Sequence, residues 1–155
     1  MTEIGPKTSD YFAEMYVAGK FADAGWNVYF PRRDKGFDFI VSKKLRDGII
    51  IRPVQVKGKY PTDDKSDKTT YGYAGKLSET HPEMVLAMPF FSYRQSSNPV
   101  CVAYMPISTI KSHSRGYRCS PASFRNGQPE PRRDYRKYFD DEGLKAVESE
   151  LWGKT

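Results

Sequence analysis

The sequence predicts a single α/β domain in which helices flank a mixed central sheet. Three observations lead to this prediction. The chain has 155 residues, the usual length of one domain, and we find no internal repeat or linker that would divide residues 1–155. Five apolar segments with strand character follow an amphipathic helical pattern near the start of the chain. A second helical pattern closes the chain, so the sheet would have helices to cover it.

Composition narrows the class of protein. Aromatic residues make up 14% of the chain, which is typical of a folded protein. The longest nearly apolar run, 84–91, is far shorter than the ~20 residues of a membrane span, and the N-terminus lacks a signal pattern. We therefore expect a soluble, cytoplasmic protein, with Cys101 and Cys119 as small buried apolar residues. His81 and His113 are too isolated for a zinc site, and the net charge of +6 favours a polyanionic partner.

The first helix is predicted over residues 8–25. Three residues suited to N-capping open it: Thr8, Ser9 and Asp10. Gly25 is a typical helix stop. At 100° per residue Glu14 points in the same direction as Val17 and Phe21, which places a carboxylate on the core side of the helix. Such a carboxylate needs a cation, a metal ion or a donor, unless it lies at the edge of the apolar stripe and reaches solvent.

The strand pattern covers five segments: 26–31, 37–42, 49–57, 84–91 and 99–106. A polar turn around 46–48 joins the second and third segments into an antiparallel hairpin. Because side chains alternate along a strand, Gln55, Lys57 and Lys59 share one face, and Val54 and Val56 share the other. Pro53 cannot donate to a ladder, so we expect a bulge or an unpaired position there. The last two segments are apolar enough for the centre of a sheet.

Two polar stretches interrupt this pattern. Residues 58–82 predict a long mobile loop that contains three tyrosines, and residues 112–131 predict an irregular segment before a closing helix over 134–152. Eight cations lie between 111 and 138 against two acids, a local charge of +6: Lys111, Arg115, Arg118, Arg125, Arg132, Arg133, Arg136 and Lys137. These cations would pair with phosphates, and exposed tyrosines would stack on bases. The alternative is a solvated charged face over an aromatic core.

The informative residues are Glu14 on the first helix, Asp38 within Gly-Phe-Asp-Phe-Ile-Val, and Gln55 and Lys57 within Gln-Val-Lys-Gly-Lys. In order, type and spacing they resemble the PD-(D/E)XK nuclease superfamily, with the restriction-endonuclease-like fold of many restriction enzymes, Holliday junction resolvases and homing endonucleases. Asp38 matches the metal-binding aspartate, Gln55 the second acidic position and Lys57 the lysine. Glu14 is similar to the first-helix glutamate of resolvase-like branches. The resemblance covers roughly 8–60, and the strands within 84–106 agree with it.

Two departures from the pattern stand out. Phe37 occupies the position that gives the family its proline, and Gln55 replaces an acid. The Gln-x-Lys form resembles a branch that includes intron-encoded homing endonucleases. With glutamine the site has one negative charge fewer, so we expect weaker metal binding or a larger share of the charge on Glu14.

The resemblance implies a metal-dependent endonuclease that hydrolyses phosphodiester bonds in DNA. Its cofactor would be Mg²⁺ or Mn²⁺, because hard oxygen ligands hold such ions against a phosphate. The residues expected to hold the ion are Asp38, Gln55, Glu14 and, through its backbone carbonyl, Val56. Lys57 would orient the attacking water and oppose the developing charge.

The expected partner is duplex or branched DNA, contacted by Lys59, Arg32 and Arg33 beside the site. A homodimer is compatible with this function, since cutting both strands commonly takes two sites. The alternative function is a catalytically inactive nucleic-acid-binding module of the same fold, in which Gln55 marks the loss of activity. A protein-interaction domain is a third class, and it would show no affinity for DNA at low salt.

Overall fold

The computed structural model describes residues 5–33, 36–61, 73–75, 77, 79–93, 98–114 and 116–154. The α-helices are α1 (Gly5–Asp23) and α2 (Asp140–Val147), and short 3₁₀ helices span Ile107–Thr109 and Arg133–Tyr138. The strands are β1 (Asn27–Tyr29), β2 (Phe39–Leu45), β3 (Gly48–Val56), β4 (Tyr73–Gly75), β5 (Val85–Phe90), β6 (Cys101–Pro106), β7 (Lys111–His113), β8 (Gly116–Arg118), β9 (Ala122–Arg125) and β10 (Gln128–Pro131). No helix in the described ranges combines the length and apolarity of a membrane span.

The main sheet has five strands in the order β1-β2-β3-β5-β6. Only the β3–β5 pair within it is parallel, so the sheet is mixed. The hairpin β9–β10 and the three-stranded sheet β4-β8-β7 form two smaller units. The predicted α/β class with a mixed central sheet is confirmed, whereas the predicted flanking by helices is seen on one face, where α1 and α2 both pack.

The two faces of the main sheet are covered differently. On one face, Val17 and Phe21 of α1 pack with Phe39 and Val54 in a core that also includes residues of α2. On the other face, residues of the small strands, such as Phe124, pack against β5 and β6. Tyr29, Ile40 and Ile51 lie on the β1–β3 part of that face and are exposed.

The first helix begins earlier than the sequence predicts. α1 begins at Gly5, so Thr8, Ser9 and Asp10 lie inside the helix and their assignment as N-caps is wrong. Pro6 suits this earlier start, because the first turn does not need its missing N–H. The predicted stop is confirmed, since the helix ends at Asp23 and Gly25 has a φ of 95°.

The predicted hairpin is confirmed, and of the two alternatives for Pro53, a bulge or an unpaired position, the structure has the unpaired position. The β2–β3 register runs unbroken from Phe39↔Val54 to Leu45↔Gly48 and pairs Ile40 with Pro53. Neighbouring residues of a strand direct their backbone groups to opposite edges, and Val54 and Val56 face β2, so the Pro53 nitrogen faces the β5 edge. Pairing with β5 begins only at Val54, so the proline interrupts no ladder there.

β5 lies inside the sheet as predicted, but β6 is an edge strand. It is fully buried nevertheless, because the chain near α2 covers its outer edge. Ala103 forms a bridge with Phe139, and the Asp140 carboxylate accepts the Val102 N–H at 2.9 Å. The apolar pattern therefore predicted burial correctly and position wrongly.

The same edge contact breaks the predicted closing helix over 134–152. Its first part is the 3₁₀ helix Arg133–Tyr138, and α2 begins only at Asp140, which has a φ of 53°. The predicted irregular segment 112–131 is also wrong, since it contains β8, β9, β10 and most of β7. These strands have three or four residues each, too short for a pattern of alternation to reveal them.

The predicted loop over 58–82 is corrected at both ends. Tyr60 stacks on Phe91 with ring centroids 4.6 Å apart, and β4 forms at Tyr73–Gly75. Residues 62–72, 76 and 78 lie outside the described residues. Tyr60 is therefore a packing residue and does not offer a free ring to a base.

The cysteines have the predicted environment. Both are buried free thiols. Burial raises the pKa of Cys101 to about 12 and that of Cys119 to about 11. Neither is therefore a reactive thiolate near neutral pH.

Candidate active site

The candidate site lies where β3 runs past the start of β2. Their pairing ends at Phe39↔Val54, so Gln55 and Val56 extend beyond β2. Their other edge stays paired with β5, and the Lys57 N–H donates to the Ala87 carbonyl at 2.9 Å. A gap therefore opens beside β3 while the strand keeps its support.

The side chain of Asp38 fills part of this gap. Its Oδ2 accepts the Val56 N–H at 2.7 Å and the Gln55 Nε2 amide at 3.1 Å. The carboxylate thus takes the place of the missing strand partner. Because the N–H and C=O of one strand residue face the same edge, the Val56 carbonyl is also directed to the side of Asp38.

The amide of Gln55 has only half of its hydrogen-bonding capacity used. A carboxylate accepts but does not donate, so the amide nitrogen must face Asp38 and the amide oxygen must face away. That oxygen, Oε1, is buried and finds no hydrogen-bond partner among the described residues. An unsatisfied buried carbonyl costs about 1–3 kcal/mol, which a bound cation or donor would recover.

These groups line a cleft of about 240 Å³. Its lining residues are Glu14, Asp38, Gln55, Val56, Lys57, Gly58 and Lys59. Glu14 comes from α1 and lines the same cleft as the residues of the hairpin. The structure therefore brings the four residues predicted from the sequence into one cleft, while their chemical roles stay a prediction.

Two lysines give one wall of the cleft a positive charge. The backbone of Lys59 is held against β5, because its N–H donates to Pro89 and its carbonyl accepts from Phe91, both at 2.9 Å. Burial, and then the like charge of Lys57, lower the pKa of Lys59 to about 8. An anion in the cleft would relieve both effects.

The sequence analysis did not identify the packing of Tyr60 beside this wall of the cleft. A Cβ on Gly58 would lie 2.7 Å from the hydroxyl of Tyr60, so the glycine allows that ring to fold back onto Phe91. Glycine between two lysines indicates a close approach, but only the structure shows to which residue.

Of the three predicted DNA-contacting residues, Lys59 lies in the cleft. Arg32 and Arg33 are exposed in the segment between β1 and β2 and do not line the cleft. The structure therefore links only Lys59 to the other predicted residues.

The residues present fit a hard divalent cation. Two carboxylates, the unsatisfied Gln55 oxygen and the Val56 carbonyl are oxygen donors of the kind that Mg²⁺ uses beside water and phosphate. The described part of the chain has no group of three or more His, Cys, Asp or Glu able to hold a metal ion. This agrees with an amide at the position where a third acid would stand.

A larger cleft, of about 600 Å³, lies near the opposite end of β3. Its buried cation, Arg52, already donates to the Val147 and Ser149 carbonyls at 3.1 and 2.9 Å and pairs with Glu83. The smaller cleft is the better candidate, because the buried Gln55 oxygen within it retains capacity for a ligand.

Comparison of the chain with protein-family models, with curated proteins and with solved structures gives no match.

Proposed function

We propose that the protein is a metal-dependent endonuclease that hydrolyses phosphodiester bonds in DNA, with a Gln-x-Lys form of the PD-(D/E)XK site. The observation that carries the proposal is the buried, unsatisfied oxygen of Gln55 in one cleft with Asp38 and Glu14, beside Lys57. Oxygen donors on one side and a cation on the other suit a metal ion and the phosphate that it activates.

The topology supports a restriction-endonuclease-like fold. A first helix packs against the sheet, an antiparallel hairpin carries Asp38 and Gln55 at its open end, and β5 is parallel to β3. This order matches the resemblance drawn from the sequence over residues 8–60.

Each residue has a role that follows from its position. Asp38 supplies a carboxylate oriented by the Val56 N–H, and Gln55 presents its oxygen because its nitrogen is committed to Asp38. Glu14 adds the second negative charge from α1. When bound, Mg²⁺ would act as a Lewis acid on the phosphate and lower the pKa of a bound water.

The lysines act on the substrate side. Lys57 follows the strand end directly, so its ammonium can orient the attacking water and oppose charge on the phosphate. Lys59 adds charge for holding the phosphate. Together they offset the two carboxylates, which would otherwise repel a polyanion.

The alternative is a nucleic-acid-binding module of the same fold without activity. The observation in its favour is the donor set, in which an amide stands where the family pattern has an acid. Such a module would keep the cationic wall and lose the reaction.

The test is cleavage of supercoiled, linear and branched DNA with Mg²⁺ or Mn²⁺. We expect Asp38→Ala and Lys57→Ala to lower the rate at least ~10²-fold, as loss of a group that stabilises transition-state charge does. The matched controls Asp47→Ala and Lys44→Ala alter exposed residues at the other end of the hairpin and should keep wild-type activity. Nicking without double-strand breaks would show that single copies act alone.

Three results are decisive. Cleavage that persists in EDTA or in both cleft variants would refute the proposal. Salt-sensitive binding without cleavage by the wild-type protein would support the inactive module. Failure to bind any DNA at low salt would exclude both functions.

A further inference from the structure

Two cations are direct cross-strand neighbours in the small sheet that contains β7 and β8. The register pairs Lys111 with Arg118, and both side chains are exposed. Like charges directly opposite each other destabilise a pair of strands. A bound anion would turn this repulsion into attraction.

A third cation is fixed beside them. The Arg132 guanidinium donates to the Ser120 carbonyl at 2.9 Å, and its backbone N–H donates to the Pro121 carbonyl at 2.8 Å. Ser120 lies two residues after Arg118, so these cations surround one short segment. We call Lys111, Arg118 and Arg132 the basic cluster.

The basic cluster is connected to the candidate active site through the core beneath it. Lys59, in the cleft, forms a bridge with Phe90, which shares a buried cluster with Cys119. Burial raises the pKa of Cys119, and the positive charge of Lys59 acts in the opposite direction. Cys119 directly follows Arg118, so a member of the basic cluster adjoins the core that supports the cleft wall.

The cations of the basic cluster are available to a ligand. The ion pairs recorded between described residues use Lys43 and Arg52 and involve no member of the cluster. The acids of this region are Glu130 and Asp134, each exposed, so the surface keeps a positive balance.

The aromatic residues of this region do not present free rings. Phe124 is buried, Tyr117 is half-buried, and Tyr135 lies under the Arg132 guanidinium at 5.8 Å. Large exposed apolar side chains are found elsewhere in the described residues, and none lies between 111 and 138. Proteins that bind single strands combine cations with aromatic rings on which bases stack, so this surface suits a paired backbone better.

We propose that the basic cluster binds the sugar–phosphate backbone of duplex DNA that flanks the scissile phosphate. This inference rests on the proposed function and deepens it, because it names a duplex as the substrate and the basic cluster, on β7, on β8 and just after β10, as its docking surface. The contacts are with phosphates, so they position the duplex and carry no sequence information.

The experiment measures binding of the full chain to a labelled 30-base-pair duplex in EDTA, over a series of salt concentrations. The test variant carries Lys111→Gln, Arg118→Gln and Arg132→Gln. The matched control carries Lys44→Gln, Arg46→Gln and Lys154→Gln, which remove the same charge from exposed positions near the other end of β3. A third variant carries Arg32→Gln and Arg33→Gln.

We expect the cluster variant to bind at least ~30-fold more weakly at 0.1 M salt and to lose about 2–3 from the slope of log K against log salt, because each phosphate contact contributes about 0.9. The control should change affinity less than about 3-fold. Equal losses in the cluster variant and the control, or a larger loss with Arg32 and Arg33, would overturn the inference. Binding to a single strand of the same sequence that equals the duplex would overturn it too.

Arg132 also donates a hydrogen bond to the Ser120 carbonyl, so its replacement could unfold the segment that follows β8. The double variant Lys111→Gln with Arg118→Gln avoids this, and it should lose about 1–2 from the slope. A double variant that folds and keeps the full slope would overturn the inference.

The outcome is separable from that of the proposed function. Metal-dependent cleavage with full affinity in the cluster variant would refute this inference and leave the nuclease proposal standing. Cluster-dependent binding by a protein that never cleaves would do the opposite.

Discussion

Two positions along β3 use polar side chains in opposite ways. In the middle of the strand, Arg52 is buried and donates to the carbonyls of Val147 and Ser149, with Glu83 as its ion-pair partner. At the end of the strand, the Gln55 amide oxygen is buried and unsatisfied by any described residue, beside a cleft with two lysines. The hydrogen-bonding capacity of Arg52 is used within the protein and stabilises the fold, whereas the amide oxygen of Gln55 can still accept a bond from a ligand.

The largest expected effect on stability comes from Arg52, whose guanidinium nitrogens each have a partner within the protein. Arg52→Ala should lower the free energy of unfolding by about 3–4 kcal/mol, because it removes a charged donor from buried carbonyls and detaches the chain after α2 from the sheet. Denaturant unfolding measures the loss.

The matched control for this prediction is Glu83→Gln. Its side chain is 48% exposed, so water can replace much of the lost partner and we expect a loss of about 1 kcal/mol or less. Equal losses of unfolding free energy for the two variants would show that the ion pair with Glu83, and not the bonds to the carbonyls, accounts for the stabilisation by Arg52.

The next effect is a pH dependence at the cleft end. The pKa of Lys59 is lowered to about 8 from an ordinary value of 10.5, so the unfolded state binds more protons between these two values. Stability should therefore rise with pH across this window, and the penalty of the buried charge is fully present below pH 8. The penalty is up to about 3 kcal/mol, since one pKa unit corresponds to 1.36 kcal/mol.

Comparison with Lys59→Met isolates this term from other titrating groups. The variant should be more stable than the wild type near pH 7, and the difference should shrink toward pH 10. A difference that stays constant with pH would mean that Lys59 is not buried as a charge.

The fold was predictable where local pattern and tertiary environment agree. α1, the β2–β3 hairpin and β5 follow from periodicity, because each buries one face or both against the core. The predicted central position of β6 and the predicted unbroken helix over 134–152 were wrong for the same reason. Phe139 and Asp140 cover the outer edge of β6, and contact between residues so far apart leaves no trace in either local pattern.

The members of the candidate site were predictable, but the hydrogen bonds among them were not. The order, type and spacing of residues together indicated Asp38, Gln55 and Lys57. It did not indicate that Asp38 would take the Gln55 nitrogen and leave the oxygen unsatisfied, because this depends on where β2 stops. The burial of Lys59 likewise depends on its pairing with β5.

The third prediction concerns the replacement of the neutral amide of Gln55 with a charged carboxylate. Gln55→Glu restores a second acid beside Asp38, so we expect Mn²⁺ to bind about 10-fold more tightly, a gain of about 1.4 kcal/mol. Titration calorimetry measures the affinity. Without metal the two carboxylates should repel each other and lower the melting temperature, and metal should restore it.

The isosteric exchange at Asp38 is the counterpart of this variant. Asp38→Asn removes charge from the same pair of side chains and should weaken Mn²⁺ binding. If Gln55→Glu leaves metal affinity unchanged, the Gln55 oxygen does not face the ion, and its unsatisfied state has another meaning.

The smallest effect is expected at Lys43 of β2, another cation that has partners within the protein. Lys43 pairs with Glu148 at 2.6 Å and donates to the Ala24 carbonyl at 2.8 Å, but the two side chains of the pair are 21% and 30% exposed. Lys43→Met should therefore cost only about 0.5–1 kcal/mol, and less at high salt. A loss of stability as large as that of Arg52→Ala would mean that solvent exposure does not determine how much a bound cation contributes to the free energy of unfolding. The contrast between Arg52 and Gln55 would then depend only on the unsatisfied amide oxygen of Gln55.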